Sequence, residues 1–153
     1  MTDKDRDFDT FMSDALVALA DANPGITAVL QTSASRWSIG FETEEQIDLE
    51  LFEIGQRVML STTVPATGDE TLERAKDGLL AYNLMWRESG NIRTALAGTE
   101  IFLITDLPVA TIDSDSLNIG LDALRLARAQ WARFLTQNAA DPVDFTADHI
   151  LRA

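Results

Sequence analysis

The sequence predicts an α+β domain in which helices pack against an antiparallel sheet. Three segments carry apolar residues every three or four positions, which is typical of amphipathic helices. Between the first and second of these segments the apolar period changes to two, and shorter strand-like sequence precedes the third. Runs of strands separated by isolated helices indicate an α+β sheet and not repeated βαβ units. The predicted order is therefore α-β-β-β-α-β-β-α.

The first helix is predicted over residues 7–22. Its apolar residues form one stripe, made of Phe8, Phe11, Met12, Ala15, Leu16 and Leu19. Asn23-Pro24-Gly25 ends it, because proline cannot continue the hydrogen-bond ladder and glycine accepts the left-handed conformation. Residues 1–6 are predicted to form a flexible acidic arm before a single domain over 7–137. The sequence leaves open whether the tail, 138–153, forms a docked helix or stays loose.

Three alternating runs after the first helix predict an antiparallel meander. Their alternating apolar residues are Trp37, Ile39, Phe41, Ile47, Leu49, Leu51, Val58 and Leu60. We expect this face of the sheet to meet helices, while acidic residues such as Asp48 and Glu50 point outward. The sequence leaves open whether Ile26–Thr32 adds an earlier strand.

The central helix, predicted over 69–88, carries two apolar lines. Thr67 and Glu70 have the spacing of a capping box, which places the N-cap at Thr67. One face is formed by Leu72, Ala75, Leu79, Tyr82 and Trp86. A second line, Leu80, Leu84 and Met85, is more than a helix packed on one side requires. Two explanations stay open for this line: a subunit interface or burial within the monomer.

A hairpin and a long helix complete the predicted domain. Ile92–Ala97 and Glu100–Thr105 are predicted strands joined at Gly98-Thr99. Asp113 is a suitable N-cap for a third helix over 114–137. Its buried face is predicted from Leu117, Leu121, Leu124, Ala127, Trp131 and Leu135.

The composition restricts the partners that we expect. The formal net charge is -13, from 25 acidic and 12 basic residues, so the surface repels the phosphates of nucleic acids and anionic lipids. The chain has no cysteine, which excludes disulfides, thiolate metal sites and cysteine nucleophiles. The N-terminal residues are acidic and lack the apolar core of a signal peptide, and no apolar run approaches the length of a membrane span. We therefore expect a cytoplasmic protein that binds neither nucleic acid nor membrane.

The polar residues show no pattern typical of catalysis, a metal site or a cofactor site. His149 is the single histidine and lies in the tail, and no Gly-x-Ser-x-Gly or glycine-rich phosphate loop occurs. Asp3, Asp5, Asp7 and Asp9 alternate like the start of a calcium loop. Phe8, however, occupies the sixth position, where such a loop needs glycine. The sequence predicts no enzyme, no metal and no cofactor.

Four short motifs lie in and after the central helix: Leu79-Leu80-Ala81-Tyr82-Asn83, Gly90, Leu96-Ala97-Gly98-Thr99-Glu100-Ile101-Phe102-Leu103 and Leu107-Pro108. Together with the order of elements, they resemble the core pattern of class I type III secretion chaperones. The resemblance covers about Phe8 to Leu135. It implies a non-enzymatic homodimer that binds an extended segment of a secreted effector over apolar patches.

Carried onto this sequence, the resemblance implies two sets of surface residues. The implied dimer interface consists of Leu80, Leu84, Met85, Ile92 and Leu96. The implied partner-binding residues are Phe11, Met12, Trp37 and Phe41. Two alternatives stay open: an interaction or regulatory module of the same fold that is unrelated to secretion, and a small-ligand carrier or enzyme.

Overall fold

The computed structural model of the chain describes residues 3–52, 54, 56–85 and 91–136. Three helices, six strands and one short 3-10 turn occur among these residues. They are α1 (Asp3–Ala22), β1 (Ile26–Ser33), β2 (Arg36–Phe41), β3 (Gln46–Phe52), β4 (Arg57–Pro65), α2 (Asp69–Leu84), β5 (Arg93–Ala97), β6 (Glu100–Pro108), the turn Val109–Thr111 and α3 (Ser114–Thr136). The predictions for Trp86, His149 and the tail lie outside the described residues.

The strands form one antiparallel sheet in the order β1-β2-β3-β4-β6-β5, which confirms the predicted fold class. The strand that the sequence left open is present as β1. In the β2–β3 register, Trp37 lies opposite Leu49 and Ile39 opposite Ile47. Because side chains alternate between faces along a strand, these residues share one face. Among the described residues, the outermost strands of this sheet are β1 and β5.

The chain divides into two compact units. The first contains residues 1–60 and 106–122. Its buried residues include Met12, Leu16, Leu19, Trp37, Ile39, Ile47 and Leu49. Helix α3 approaches the sheet closely in this unit, since a Cβ added to Gly120 would lie 3.2 Å from Cδ2 of Leu60. A larger residue at position 120 would therefore require the Leu60 side chain to shift.

The second unit contains residues 61–105 and 123–153. In its core, the rings of Tyr82 and Trp131 have centroids 5.5 Å apart. Arg74 of α2 donates from Nε to the backbone oxygen of Phe134 at 3.0 Å, so it caps a carbonyl in the last turn of α3. Together, these contacts fix α2 against the C-terminal half of α3.

One predicted helix cap is wrong and one is confirmed. Helix α2 begins after Gly68, whose φ of 95° favours glycine, and no side chain caps this end. Thr67 is therefore not the N-cap, because the chain needs a left-handed residue immediately before the helix. At α3, Oδ1 of Asp113 accepts from the backbone N–H of Ser116 at 2.7 Å, and the Ser116 hydroxyl accepts from the Asp113 N–H at 2.9 Å. This reciprocal pair confirms Asp113 as the cap.

The predicted hairpin is also confirmed. Ala97 lies opposite Glu100, so the connection has two residues, and Gly98 at its first position has a φ of 61°. Strand β6 continues to Pro108, three residues beyond its predicted end.

Candidate partner-binding surfaces

A buried carboxylate holds helix α1 against the β1–β2 hairpin. Oδ2 of Asp9 accepts from the side-chain amide of Gln31 at 3.0 Å, and Oδ1 accepts from the backbone N–H of Ser35 at 3.3 Å. Ser35 lies in the turn between the two strands and has a φ of 60°. Asp9 thus has a structural role, because each of its oxygens is occupied by the hairpin.

Strand β1 is an exposed sheet edge. Six of its eight residues are exposed, and its register with β2 is irregular at two points. Among the described residues, no side chain from another element bonds to the backbone of β1. Leu30 is 62% exposed and pairs with Ser38, on the opposite face from the pair Val29 and Ile39. The edge therefore offers backbone groups beside a large apolar side chain.

Three of the four residues implied as partner-binding lie in the core. Met12, Trp37 and Phe41 are buried, with Trp37 only 2% exposed and the ring of Phe8 edge-on to it at 6.1 Å. Trp37 and Phe41 lie on the inner face of β2, and Met12 lies on the stripe that α1 buries. In the isolated chain these three side chains are covered, so a partner could contact them only if the core opened. Their part in partner binding stays a prediction.

Phe11 remains at the surface, where it is 45% exposed. Val17 and Leu30 are also exposed, although neither belongs to the residues predicted to bind a partner. The sequence does indicate an exposed Val17, because this large apolar residue falls outside the apolar stripe of α1. Leu30 had no comparable signal, since a strand with one covered face does not reveal which of its two sides is inward.

The residues implied in the dimer interface divide between surface and core. Leu80 is 74% exposed and Leu84 is 81% exposed, one turn apart on α2, whereas Tyr82 on the other side is buried. Met85 and Leu96 are half-buried, and Ile92 is buried. The homodimer remains a prediction. Leu80 and Leu84 are the exposed residues at the centre of its predicted interface.

Metal-ligating side chains do not cluster in the described part of the chain, where no three His, Cys, Asp or Glu side chains come together to hold a metal ion. Burial raises the pKa of Tyr82 to about 12, so its phenol stays protonated at neutral pH and cannot act as a base. In the part of the chain that the structure describes, no helix is long and apolar enough to cross a bilayer.

The fold is that of type III secretion chaperones. A chain of the ExsC–ExsE complex superposes with a TM-score of 0.66 at 18% identity, covering 81% of this chain and 92% of that one. A chain of the HopA1–SchA chaperone–effector complex gives 0.65 at 12% identity, covering 80% and 94%. The Yersinia pestis type III secretion chaperone SycH, in complex with a fragment of YscM2, gives 0.60 at 17%, covering 78% and 98%.

The same fold occurs in an uncharacterised protein from Methanothermobacter thermautotrophicus, with a TM-score of 0.58 at 8% identity, covering 80% of this chain and 94% of that one. No protein-family model and no curated protein matches the sequence. These structural likenesses establish the fold of the chain.

Proposed function

We propose that this chain is a non-enzymatic, cytoplasmic binding protein that holds an extended apolar segment of a partner protein. The observation that carries the proposal is an open edge strand, β1, on a fold found in chaperone–effector complexes. An extended segment can add to such an edge through its own backbone N–H and C=O groups. Affinity then depends on the backbone, and selectivity depends on the side chains beside the edge.

The side chains near β1 fit an apolar partner segment. Leu30 lies on one face of the strand. On the helix side, Asp9 bonds to Gln31 of β1, and Val17, eight residues later, is turned about 80° from Asp9 around the axis of α1. Val17 is therefore turned less far from the edge than Phe11 is. Burying an exposed Leu or Val side chain contributes about 1.5–3 kcal/mol. Because the chain carries a charge of -13, this contact should depend on apolar burial more than on ion pairs.

Phe11 lies on a different side of the helix from this edge. Two residues after Asp9, it is turned about 160° from it around the helix axis. A partner that reaches both β1 and Phe11 must therefore pass around α1. This geometry agrees with a segment that wraps over the chaperone, and it makes Phe11 a second and separable contact.

The decisive experiment is co-expression with the polypeptides encoded beside this gene, followed by co-purification and limited proteolysis. We expect this chain to protect a short extended fragment of one of them from the protease. We also expect Leu30→Asp to weaken binding by roughly tenfold or more, because the carboxylate would lie beside an added strand. Ile119→Asp makes the same kind of exchange at an exposed apolar residue of α3, outside both proposed surfaces, and is the matched control. A bound partner that is indifferent to Leu30→Asp would contradict the proposal.

Salt distinguishes apolar from electrostatic binding. Raising the salt concentration to about 0.5 M should weaken the complex only modestly, because exposed ion pairs are screened there and apolar contacts are not. Loss of the complex under these conditions would indicate an electrostatic interaction instead.

The chain is also proposed to form a homodimer through Leu80 and Leu84, with Met85 and Leu96 beside them and Ile92 below. A two-fold interface is self-complementary, so one apolar strip needs only a second copy of itself. Light scattering should give about twice the 16.8 kDa of the chain. Leu84→Asp should shift the mass towards the monomer, whereas Leu30→Asp should not. A monomeric wild type at micromolar concentration would reject this interface.

A module of the same fold outside secretion is the second candidate, and the Methanothermobacter thermautotrophicus structure favours keeping it. The two functions differ in the partner. A secretion chaperone should protect the N-terminal segment of a secreted protein encoded nearby, and a regulatory module should bind a partner that is not secreted. A stabilising hit in a metabolite thermal-shift screen would instead support a small-ligand carrier or enzyme.

A further inference from the structure

The edge strand β5 carries a side-chain cap that β1 lacks. Asn83, near the C-terminal end of α2, makes three hydrogen bonds to Thr94 of β5. Its Oδ1 accepts from the Thr94 backbone N–H at 3.2 Å and from the Thr94 hydroxyl at 3.0 Å. Its Nδ2 donates to the Thr94 backbone oxygen at 3.3 Å. One amide side chain thus satisfies both backbone groups of one strand residue.

The strand register shows which backbone groups these are. Ala97 and Glu100 close the two-residue hairpin, so they form a hydrogen-bonded pair. Pairs then alternate along β5, and Thr94 opposite Leu103 is a pair that does not exchange backbone bonds. The N–H and C=O of Thr94 therefore point away from β6, towards the outer edge. An added strand would use those two groups.

The amide group of Asn83 imitates a neighbouring strand. A peptide group presents one donor and one acceptor, and a side-chain amide presents the same pair. The reverse amide orientation would set the Asn83 NH2 against the Thr94 N–H, so the arrangement has one sense only. Leu96 also points its backbone groups outward, and no described residue bonds to them there.

We propose that Asn83 closes the β5 edge to strand pairing. The sheet is then extended only at β1, and two copies of the chain meet through Leu80 and Leu84 side chains, not by joining their β5 strands. The statement that a partner strand adds at β1 rests on the proposed function. The closing of β5 itself involves no partner, so the experiments on the isolated chain test it separately.

The first test is amide hydrogen exchange in the Leu84→Asp background, which removes the proposed dimer contact. Without any further substitution, the Thr94 amide should exchange roughly tenfold more slowly than the Leu96 amide, because only Thr94 has an acceptor on the outer edge. Equal exchange at the two amides would overturn the cap. Both amides belong to one strand of one protein, so they share the same global stability and the same background substitution.

The second test removes the cap. Asn83→Ala should raise exchange at Thr94 by about tenfold, whereas Lys76→Ala, at an exposed position on the same helix, should leave it unchanged. Asn83→Asp keeps the acceptor and should keep Thr94 protected, and Thr94→Val should keep both backbone bonds. Unchanged exchange in Asn83→Ala would overturn the proposal.

The third test asks whether the cap prevents sheet extension. In the Leu84→Asp background, Asn83→Ala should associate at concentrations where the parent stays monomeric, as light scattering would measure. Slowed exchange of Leu96 on association would place the new contact at β5. A double variant that stays monomeric over the same range would reject the view that Asn83 blocks this edge. Partner binding at β1 is tested through Leu30 and can fail or succeed independently.

Discussion

Strands β1 and β5 are both at an edge of the sheet, but they differ in whether a side chain bonds to their outward backbone groups. At β5, a helix side chain occupies the outward backbone groups of Thr94. At β1, helix α1 contributes Asp9, but that carboxylate binds the side chain of Gln31 and the turn residue Ser35, and it leaves the strand's outer backbone groups alone. The comparison shows that a helix beside an edge strand can either close the edge or only fix its position.

The largest change in stability that we expect distinguishes the buried face of β2 from the exposed face of the neighbouring strand β1. Trp37→Ala should lower the free energy of unfolding by about 3–5 kcal/mol, because it leaves a large cavity under α1. Leu30→Ala, one strand away on the outer face, should change it by about 0.5 kcal/mol or less. Urea unfolding measures both. A mild loss at Trp37 would mean that this side chain is not core, and would return it to the partner-binding residues.

The next effect tests the packing of α2 beside β5. Tyr82 is the single tyrosine of the chain, and burial raises its pKa from 10.0 to about 12. Below pH 10 its contribution to stability is fully present, and it is lost as the pH rises towards 12, because the unfolded phenol ionises first. The loss should be about 1.4 kcal/mol per pH unit, or roughly 3 kcal/mol in total.

Tyr82→Phe is the control for this pH dependence. The phenylalanine variant cannot ionise, so the difference between its alkaline stability curve and that of the wild type isolates the phenol. Ultraviolet absorbance of the folded wild type should show the phenol titrating near pH 12. Titration near pH 10 in the folded chain would contradict the burial of Tyr82.

A smaller effect is expected at the link between α1 and β1. Asp9→Ala should cost about 1–3 kcal/mol, since it leaves the Ser35 N–H and the Gln31 amide without their acceptor. Hydrogen exchange should rise in the β1–β2 hairpin and stay unchanged in β5. Asp7→Ala removes an exposed carboxylate from the same helix and should have little effect. Equal effects of the two variants would show that Asp9 does not position the edge.

The apolar periods of the sequence were sufficient to predict the fold class and most of its helices and strands. The period-two runs gave the alternating faces of β2 and β3, and the Gly98 turn gave the last hairpin. The cap at α2 was mispredicted because Thr67-x-x-Glu70 satisfies the sequence pattern, while the chain needs a positive φ at Gly68. The pairing of β6 with β4 could not be predicted from the sequence, since it depends on where the chain places β5 and β6 after α2.

The surface residues were harder to predict than the fold. A stripe or an alternating run identifies an apolar residue, but it does not separate the buried Trp37 from the exposed Leu30. Asn83 had a local signal, because asparagine is a weak helix former next to an apolar stripe. Its role depends on Thr94, eleven residues away on another element, and only the tertiary structure brings the two together.

The smallest effect concerns the outer face beside β1. Arg36 and Glu50 lie directly opposite each other on β2 and β3, with Arg36 Nη2 2.6 Å from Glu50 Oε1. Both side chains reach solvent, so the attraction is screened and the pair should contribute only about 0.2–1 kcal/mol. A double-mutant cycle with Arg36→Gln and Glu50→Gln measures the coupling, and about 0.5 M salt should reduce it. A coupling well above 1 kcal/mol would mean that this face is covered in solution, and Leu30, on the same face, would then not be open to a partner.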